Sequence, residues 1–530
     1  MNILIAEPLA RAGIELFQAQ PGWNTIISNP KEYAQHLADA DALLVRSAVQ
    51  VDQAVLANAP KLRVIGRAGV GVDNVDLDAA TEAGVLVMNT PGGNAVSVAE
   101  HTMALMLAMA RHIPQADSST RAGKWEKKKL MGNELRGKTL GVIGLGSIGR
   151  EVVRRARAFE MRIVAHDPYV TGKLAEDLGA QLTDLPLLYA ESDYITLHVA
   201  ATPETEGMLS HEAFRRMKQG VRIVNCARGE LVDETALCEA LASGRVAGAA
   251  IDVFKTEPPP AGYALFAAAG LLASPHIGGS TEEAQEIVGV RIAEQVVEYL
   301  KNGIALNAVN MPALSREQYR AVGPYVALAE ALGVLAANIA NGNPATVRLV
   351  YFGKLADTNT NLLRNAGVAG VLRRSTPHRV NLVNAMQIAE QRGWNVAERH
   401  EGRSAHMDSI RLELETDRGI TSVEGAVVLE KPRLIQADGI RCEAALSGYL
   451  TFMKNQDVPG VIGHVGTVLG RNHVNIANFS LGRREAPLHP GEPLEAVALV
   501  TTDELVSEAV LTQLRDNPAV KFARSVEFGG

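Results

Sequence analysis

Three side chains with complementary chemistry follow three predicted strands near the middle of the chain. Arg228 comes after the apolar run RIVNCA, Glu257 after AGAAIDVF, and His276 after LLASP. Ligands of open α/β sheets bind beyond the carboxyl ends of the strands, so we expect these side chains at one rim. An arginine can clamp a carboxylate, and a histidine oriented by an acid can accept a hydroxyl proton as hydride leaves the carbon. The set predicts a catalytic site that oxidises a 2-hydroxy acid.

A glycine-rich loop, GLGSIG at 144–149, predicts a dinucleotide site. The strand TLGVI precedes it and the helical run REVVRRARAFE follows it. Gly144 and Gly146 would let the backbone approach a pyrophosphate at the helix N-terminus, and Gly149 would let the helix pack on the strand. Asp167 ends the next strand, 18 residues beyond Gly149 (167 minus 149), where an acid binds the adenosine ribose. Its carboxylate would repel a 2′-phosphate, so NAD is favoured over NADP.

Composition narrows the classes of partner and compartment. A length of 530 residues predicts several domains, and a net charge of -7 argues against a nucleic-acid-binding surface. The three cysteines form no disulfide framework and fit no zinc motif, so we expect a reducing compartment and no bound metal. The opening MNILIAEPLA is typical of a strand rather than a signal peptide, and no run of about 18 apolar residues predicts a membrane span. The chain is therefore predicted to be cytoplasmic and away from membranes.

Alternating strands and helices would position the predicted site. Residues 1–97 read as a parallel α/β sheet built on NILIAEP, DALLVRS, LRVIGRAG and VLVMNT. A long helix is predicted to begin at Ser97, with Glu100 completing a capping box. Alternation continues through 98–286, and the helix EEAQEIVGVRIAEQVVEYLKNG is predicted to cross back to the first domain. This predicts a nucleotide-binding domain at 98–286, inserted into a substrate-binding domain made of 1–97 and 287–312.

The remaining chain has a different character. Residues 313–447 carry mixed helix and strand patterns, which predict an α+β domain but no recognisable motif. Residues 448–530 read β-α-β-β-α-β, the element order of a ferredoxin-like domain. We therefore predict four domains.

Several segments resemble the D-isomer-specific 2-hydroxyacid dehydrogenase family over residues 1 to about 310. They are GLGSIG, NCARGELVDE, AIDVFKTEPP and SPHIGGSTEEAQ. Others, among them IGRAGVGVDNVD and NTPGGNAVSVAEHT, resemble the long members that oxidise 3-phospho-D-glycerate to 3-phosphohydroxypyruvate, the first step of L-serine synthesis. The resemblance implies a flavodoxin-like substrate domain with an inserted NAD-binding Rossmann domain. An intervening domain, like an allosteric substrate-binding domain, and a ferredoxin-like ACT domain would follow.

The same resemblance implies roles for the residues of the rim. His276 would act as acid and base, Glu257 would orient it, and Arg228 would bind the substrate carboxylate. Contacts with NAD are implied for Val70, Gly144, Gly146, Ser147, Ile148, Gly149, Asp167, Val199, Cys226, Ala227, Arg228, Asp252, His276 and Gly279. Val70 and Val199 stand where some relatives carry threonine, so their contacts would be backbone or apolar only.

A doubly charged phosphate needs cationic partners, which the resemblance places at Arg46, Arg67 and Lys127. Lys127 would reach across from a neighbouring subunit of a homodimer or homotetramer. With Arg228 and His276, these residues would complete the substrate site.

In the last domain, NQDVPGVIGHVGTVLGRNHVNI resembles the effector loop of an ACT domain. Bound L-serine would lie near Asp457, Pro459, Gly460, His464 and Asn475, as an allosteric inhibitor. The alternative is that the domain serves subunit assembly alone.

Two further functions stay open at this point. The chain could oxidise another D-2-hydroxy acid, such as glycerate or 2-hydroxyglutarate, and a reduction of 2-oxoglutarate would fit the same chemistry. It could also be a non-enzymatic, corepressor-like sensor of NADH. The complete set of Arg228, Glu257 and His276 argues against a sensor, because a sensor needs no proton acceptor. His101, His112, His166 and His198 lack this convergence and are interpreted as structural.

Overall fold

The structure, a computed structural model, describes the chain in four stretches: 1–376, 379–402, 407–487 and 493–528. Its first region consists of β1 (Asn2–Ile5), α1 (Arg11–Gln18), β2 (Asn24–Ile27), β3 (Ala42–Val45), α2 (Gln53–Ala57), β4 (Val64–Arg67), α3 (Leu77–Glu82) and β5 (Leu86–Met88), with a 3-10 turn at Tyr33–Asp39. The strands are parallel in the order β2-β1-β3-β4-β5, which is the flavodoxin-like arrangement. β3 and β5 are fully buried, as their continuous apolar runs predict.

A second parallel sheet follows in the chain. Its elements are α4 (Ala95–Ala110), α5 (Ile113–Arg121), β6 (Thr139–Ile143), α6 (Ser147–Ala158), β7 (Arg162–His166), α7 (Gly172–Leu178), β8 (Gln181–Leu182), α8 (Leu185–Glu191), β9 (Tyr194–Leu197), α9 (His211–Arg216), β10 (Val221–Asn225), α10 (Glu234–Ala242), β11 (Val246–Ile251) and β12 (Leu271–Ala273), with 3-10 turns at Lys127–Lys129, Gly229–Leu231 and Ala264–Ala267. The order β12-β11-β10-β9-β6-β7-β8 is that of a Rossmann fold. The order reverses between β6 and β9, and ligands of such sheets bind at that switch point.

The long helix α11 (Glu282–Asn302) returns the chain to the first region, as predicted. The hydroxyl of Thr281 accepts the backbone N–H of Ala284 at its start, and Gly303 ends it with a positive φ of 71°. α11 packs on α1 so closely that a Cβ added at Gly13 would lie 2.5 Å from the carbonyl oxygen of Gly289. The second sheet is therefore inserted between two pieces of the first region.

The start of α4 contradicts the predicted capping box. The helix begins at Ala95, so Ser97 and Glu100 lie inside it. The hydroxyl of Ser97 hydrogen-bonds that of Thr281 at 2.8 Å, and Glu100 pairs with Arg155 at 2.9 Å. The prediction was wrong because tertiary partners occupy the two side chains that a capping box would use.

The third region is an α+β unit. It consists of α12 (Arg316–Ile339), β13 (Pro344–Phe352), a 3-10 turn at Gly353–Asp357, α13 (Asn361–Arg373), α14 (Ala385–Gln391), β14 (Asn395–Glu401), β15 (Ser409–Thr416), β16 (Gly419–Val428), β17 (Lys431–Ala437) and β18 (Ile440–Ala445). The sheet order is β14-β13-β15-β16-β17-β18, with only the β13–β14 pairing parallel among the described strands. By length and composition α12 could cross a membrane, but 56% of its most apolar window is buried inside the chain.

The last region is a four-stranded antiparallel sheet with two helices. It consists of β19 (Gly448–Gln456), α15 (Val461–Arg471), β20 (Ile476–Arg483), β21 (Glu495–Thr502), α16 (Glu508–Arg515) and β22 (Val520–Phe528). The sheet order β20-β21-β19-β22 confirms the predicted ferredoxin-like unit. It abuts the third region, since a Cβ at Gly482 would lie 2.0 Å from the carbonyl oxygen of Arg441.

Candidate active site

Loops at the carboxyl ends of both parallel sheets line one cleft of about 750 Å³. The first sheet contributes the residues that follow β3 and β4, and the second contributes those that follow β11 and β12. Among the lining residues are Arg46, Arg67, Asp73, Phe254, Glu257, His276 and Gly279. Of the three residues predicted at the rim, Glu257 and His276 line this cleft between the two α/β sheets, whereas Arg228 is not among the lining residues and lies behind Asp73, which is one of them.

His276 and Glu257 meet in this cleft. Nδ1 of His276 lies 2.6 Å from Oε2 of Glu257, and Oε1 of Glu257 accepts the backbone N–H of Phe254 at 2.9 Å. The hydrogen bond with Glu257 raises the pKa of His276, although burial opposes the rise. Burial by itself would raise the pKa of Glu257, but the hydrogen bonds from His276 and Phe254 hold it below its ordinary value. The His276 side chain is 51% exposed, so a ligand can reach it.

Arg228 is held at the end of β10 by two neighbours. Its Nη2 lies 3.0 Å from Oδ2 of Asp73, its Nε donates to Oδ1 of Asp73 at 3.3 Å, and its Nη1 donates to the carbonyl of Ala227 at 2.7 Å. The side chain of Asn225 accepts the Ala227 N–H and donates to the carbonyl of Arg228, which fixes the backbone. A Cβ at Gly71 would lie 2.1 Å from Nη2 of Arg228 and 2.7 Å from Oδ2 of Asp73, so a larger residue there would displace the ends of this pair.

Arg46 and Arg67 give the cleft a cationic end. Burial lowers the pKa of Arg67, and the charges of Arg228 and Arg46 lower it further, whereas Asp73 and Glu7 raise it. The guanidinium groups of Arg46 and Arg67 therefore line this end of the cleft together. Such a pair of cations attracts an anionic group of a substrate.

The glycine loop has the geometry expected of a dinucleotide site. Gly144 has a φ of 96°, and a Cβ there would lie 2.7 Å from the carbonyl oxygen of His198. A Cβ at Gly149 would lie 2.0 Å from the carbonyl oxygen of Gly144, so α6 packs directly on the loop. No described atom lies within 4 Å of a Cβ at Gly146, which is exposed with Ser147 at the start of α6. The open space beside a helix N-terminus fits a pyrophosphate.

Asp167 and Val199 border this loop. Asp167 directly follows β7, and its Oδ2 accepts the backbone N–H of Leu145 at 2.8 Å. A methyl group of Val199 would lie 2.9 Å from a Cβ at Gly144. Pro168 and Tyr169 follow Asp167 without a basic group, so the residues present fit NAD rather than NADP.

The other predicted cofactor contacts lie nearby but are less open. Cys226 and Ala227 are buried at the end of β10, and burial raises the pKa of the Cys226 thiol to about 12, so it is no nucleophile. Ile148 and Val70 are half-buried, and the carbonyl of Val70 accepts the side-chain amide of Asn89. Gly279 lines the cleft itself.

Asp252 is 1% exposed and organises the turn that carries His276. Its Oδ1 accepts the hydroxyl of Ser274 at 2.5 Å and the N–H of Ile277, and its Oδ2 accepts the N–H of Gly278 at 2.8 Å. Burial would raise the pKa of Asp252, but these hydrogen bonds and one from His101 lower it. Asp252 therefore acts on the site through the backbone of this turn.

Among the described residues, His101, Cys226 and Asp252 form one group whose ligand atoms lie within 4.8 Å of one another. Asp252 is already engaged by four donors, and burial keeps the Cys226 thiol protonated. These properties disfavour metal binding, and the absence of a metal stays a prediction.

Lys127 is not brought to the cleft within one chain. It lies on the exposed 3-10 turn Lys127–Lys129 and is not among the cleft-lining residues. Trp125 and Met131 beside it are 85% and 79% exposed. Its predicted contact depends on a second subunit.

The predicted effector residues have separate partners. Asp457 lies 3.4 Å from Arg483, and Asn475 donates to Asp503 at 2.8 Å. The ring of His464 lies 3.2 Å from the carbonyl oxygen of Gln513 at the end of α16. Pro459 and Gly460 precede α15, where Gly460 has a φ of 95°.

The sequence analysis missed two acids of the site. Asp73 pairs with Arg228, and Glu7 is a buried neighbour of Arg67. A signal for Glu7 exists, because it follows the apolar strand NILIA, as the predicted residues follow their strands. The prediction considered only the polar residues that follow the later strands, those of the second sheet.

Comparison with known proteins assigns the family. Residues 103–278 match the D-isomer specific 2-hydroxyacid dehydrogenase NAD binding domain, 321–438 match the D-3-phosphoglycerate dehydrogenase intervening domain, and 449–519 match the ACT domain. A D-3-phosphoglycerate dehydrogenase of Methanocaldococcus jannaschii is 42% identical over 523 residues, which cover 98% of each chain. The chain belongs to the D-3-phosphoglycerate dehydrogenase family. It is an NAD-dependent oxidoreductase, so the predicted cofactor, Rossmann fold and ACT domain are confirmed.

Solved structures resemble the first two regions. The TT0316 protein from Thermus thermophilus has a TM-score of 0.54 and 34% identity, and the match covers 58% of this chain and 100% of that one. An NAD-dependent formate dehydrogenase from Staphylococcus aureus in complex with NAD has a TM-score of 0.51 and 30% identity, over 57% of this chain and 96% of that one. The two-sheet unit is thus shared with other NAD-binding enzymes.

Proposed function

We propose that the chain oxidises 3-phospho-D-glycerate to 3-phosphohydroxypyruvate, the first step of the phosphorylated route to L-serine. The observation that carries this proposal is the His276–Glu257 pair, 2.6 Å apart, in one cleft with Arg46 and Arg67. The substrate has a carboxylate, a hydroxyl and a phosphate, so it needs two cationic sites with a base between them. The name of the full-length archaeal relative supports the same substrate.

The proposed roles follow from the contacts. When Nδ1 of His276 carries the proton shared with Glu257, Nε2 holds the lone pair that can accept the proton of the substrate hydroxyl. Arg228 binds the carboxylate through the donors that Asp73 and the Ala227 carbonyl leave unused. Glu257 stabilises the imidazolium that forms.

NAD, held by the 144–149 loop and Asp167, supplies the hydride acceptor. The free N–H groups at the start of α6 would bind its pyrophosphate, and the Asp167 carboxylate would bind the ribose. The chain's own part of the reaction is to hold the substrate between Arg228 and the cationic end, and to move one proton at His276.

The test is NADH formation from 3-phospho-D-glycerate, together with NADH consumption by 3-phosphohydroxypyruvate. Arg46→Gln should raise the KM for both about tenfold or more, because a charged contact with the phosphate is lost. Arg11→Gln is the control, since Arg11 is exposed in the same region and pairs with Glu15. Equal turnover of D-glycerate or D-2-hydroxyglutarate would favour another hydroxy acid, and NADH binding without any turnover would favour a sensor.

We also propose that L-serine inhibits the enzyme through its ACT domain, with Asp457, His464 and Asn475 near the ligand. The match of residues 449–519 to that domain supports this proposal. Activity titrated against L-serine tests it, and an unchanged rate would leave assembly as the role of the domain.

Three further proposals accompany this function. The first is a side reaction that reduces 2-oxoglutarate to 2-hydroxyglutarate, which NADH consumption would reveal.

The second is a homodimer or homotetramer in which Lys127 reaches the partner's phosphate site, as its exposure permits. Light scattering measures the assembly, and mixing inactive Lys127→Gln and His276→Ala chains should restore activity if the sites are shared. The third is a cytoplasmic location, testable by cell fractionation.

A further inference from the structure

Glu7 has no role in the mechanism above, yet it is buried beside the cleft. It follows β1 by two residues and is 6% exposed. Carboxylates are seldom buried unless their charge is compensated by hydrogen bonds or by a cation. Its partners therefore indicate its role.

The Glu7 carboxylate accepts three backbone N–H groups from one loop. Oε1 accepts those of Arg46 at 2.8 Å and Val49 at 3.0 Å, and Oε2 accepts that of Ala48 at 3.1 Å. The donors are 39 to 42 residues away in the chain. Since both oxygens accept, an amide side chain of the same size could not replace the carboxylate without losing part of this set.

The loop held in this way is the one that follows β3. It presents Arg46, Ser47 and Gln50 to the cleft. The N–H of Arg46 is itself one of the three donors, so Glu7 fixes the backbone from which that side chain projects. The path of the loop thus depends on an acid that follows another strand, β1.

Glu7 also contributes charge. Its carboxylate is one of two that favour the charged form of the half-buried Arg67, against the effects of burial, Arg228 and Arg46. One acid therefore supports both arginines at the cationic end of the cleft: Arg46 through the backbone, and Arg67 through its charge.

We propose that Glu7 is a positioning residue for the phosphate subsite formed by Arg46 and Arg67, acting through the loop at 46–49 rather than by touching the substrate. This inference rests on the proposed function, because it assigns the phosphate to that end of the cleft. The proposal distinguishes Glu7 from residues that stabilise the whole fold, because replacing Glu7 should weaken only the binding of the substrate's phosphate.

The test compares Glu7→Gln with the control Glu15→Gln, an exposed acid on α1. For Glu7→Gln the KM for 3-phosphohydroxypyruvate should rise about tenfold or more, with kcat within about threefold, because charge-assisted hydrogen bonds are lost only at the phosphate end. The KM for unphosphorylated hydroxypyruvate and the affinity for NADH should not change. The backbone amides of Arg46, Ala48 and Val49 should exchange hydrogen faster in Glu7→Gln than in wild type.

The outcomes separate the two proposals. Wild-type protein that does not turn over 3-phosphohydroxypyruvate would reject the proposed function, while amide exchange would still report on the loop. An active wild type with an unchanged Glu7→Gln KM, or with equal losses for both substrates, would overturn the positioning role. If Glu7→Gln does not fold, the shorter acid of Glu7→Asp carries the same test. Insolubility of both variants would assign Glu7 to general stability and overturn the proposal.

Discussion

The predicted residues of the cleft and those of the ACT effector site differ in whether they contact one another in the structure. In the cleft, Glu257 and His276 come from loops after different strands and meet at 2.6 Å. In the ACT domain, Asp457, His464 and Asn475 lie within 19 residues of one another in sequence (475 minus 457 is 18), yet no hydrogen bond joins any two of them in the described part of the chain. Strand order therefore assembles a site more reliably than closeness in sequence does.

The comparison has a physical basis. All carboxyl ends of a parallel sheet lie at the same edge, so residues that follow its strands converge within one chain. The ACT segment instead runs through a loop, a helix and a second loop, which send its side chains toward Arg483, α16 and Asp503. Asp457, His464 and Asn475 could therefore bind one ligand together only after these contacts have changed. Otherwise other groups have to contribute to the binding.

The largest effect should come from His276→Ala. The rate of oxidation should fall roughly a thousandfold because the proton acceptor is lost, while the affinity for NADH, measured by fluorescence titration, should change far less because the 144–149 loop and Asp167 still hold the cofactor. His211→Ala is the matched control, because His211 is half exposed on α9 and pairs with Glu239. A variant that retains its rate would break the claim that strand order assembled a catalytic pair.

Two glycines of the 144–149 loop allow an effect on stability to be compared with an effect on cofactor binding. Gly149→Ala should lower the free energy of unfolding by about 2 kcal/mol, because its Cβ would meet the carbonyl oxygen of Gly144 at 2.0 Å. Gly146→Ala should keep the wild-type stability and weaken NAD binding about tenfold, since its Cβ would fill the open space beside α6. Urea unfolding and NADH titration measure the two effects. Equal stabilities would show that the loop can shift at no cost.

Glu257→Gln should change the pH dependence of the oxidation. Glu257 raises the pKa of His276, and His276 must be neutral to accept a proton, so the wild-type rate rises with pH through that raised pKa. Without the carboxylate the pKa falls, and the rising limb should move to lower pH while the maximal rate drops about tenfold. A profile of kcat/KM against pH checks the sign. If kcat/KM of Glu257→Gln rises over the same pH range as that of the wild type, the ionisation belongs to a group other than His276.

The smallest effect should come from the ACT domain. Asn475→Ala should leave kcat and KM within about twofold in the absence of an effector, because Asn475 contacts Asp503 and not the cleft. If L-serine inhibits the wild type, the variant should need more of it. Asn472→Ala, at the end of α15, is the control. A large change in the basal rate would show that the two regions are coupled without a ligand.

Strands with apolar runs could be predicted from the sequence, and two short, partly exposed outer strands could not. Runs such as DALLVRS and RIVNCA are continuous and apolar because both faces of their strands are covered. β2 (NTII) and β8 (QL) have no such signal, since each is the outer strand of its sheet and partly exposed. The capping box at Ser97 failed for another reason, because its hydroxyl bonds Thr281, 184 residues further along the chain.

The site was predictable where a residue's own strand determines its place. Glu257 and His276 follow strands of the second sheet and line the cleft, and Arg228, which follows β10, contacts Asp73 at its border. Asp73 was missed because its role is a contact with Arg228 of the other sheet, whereas Glu7 does follow a predicted strand and was missed because only the later strands were considered. Lys127 shows the opposite limit, since it is exposed away from the cleft and its proposed contact with a second subunit stays a prediction.

The return of α11 to the first sheet has a consequence for synthesis on the ribosome. Ile292, Val296 and Leu300 of α11 share a core with Ile3 and Leu44, but they are made long after β5 ends at Met88. At the usual pace of translation, the roughly 200 residues between them take about 10–40 seconds, during which the inserted sheet can fold first. Nascent chains halted at residue 281 should therefore be cut by protease within the first sheet, and chains halted beyond 312 should resist. The N-terminal domain is thus the first to begin translation, but it can complete its fold only after the domain inserted into it has been made.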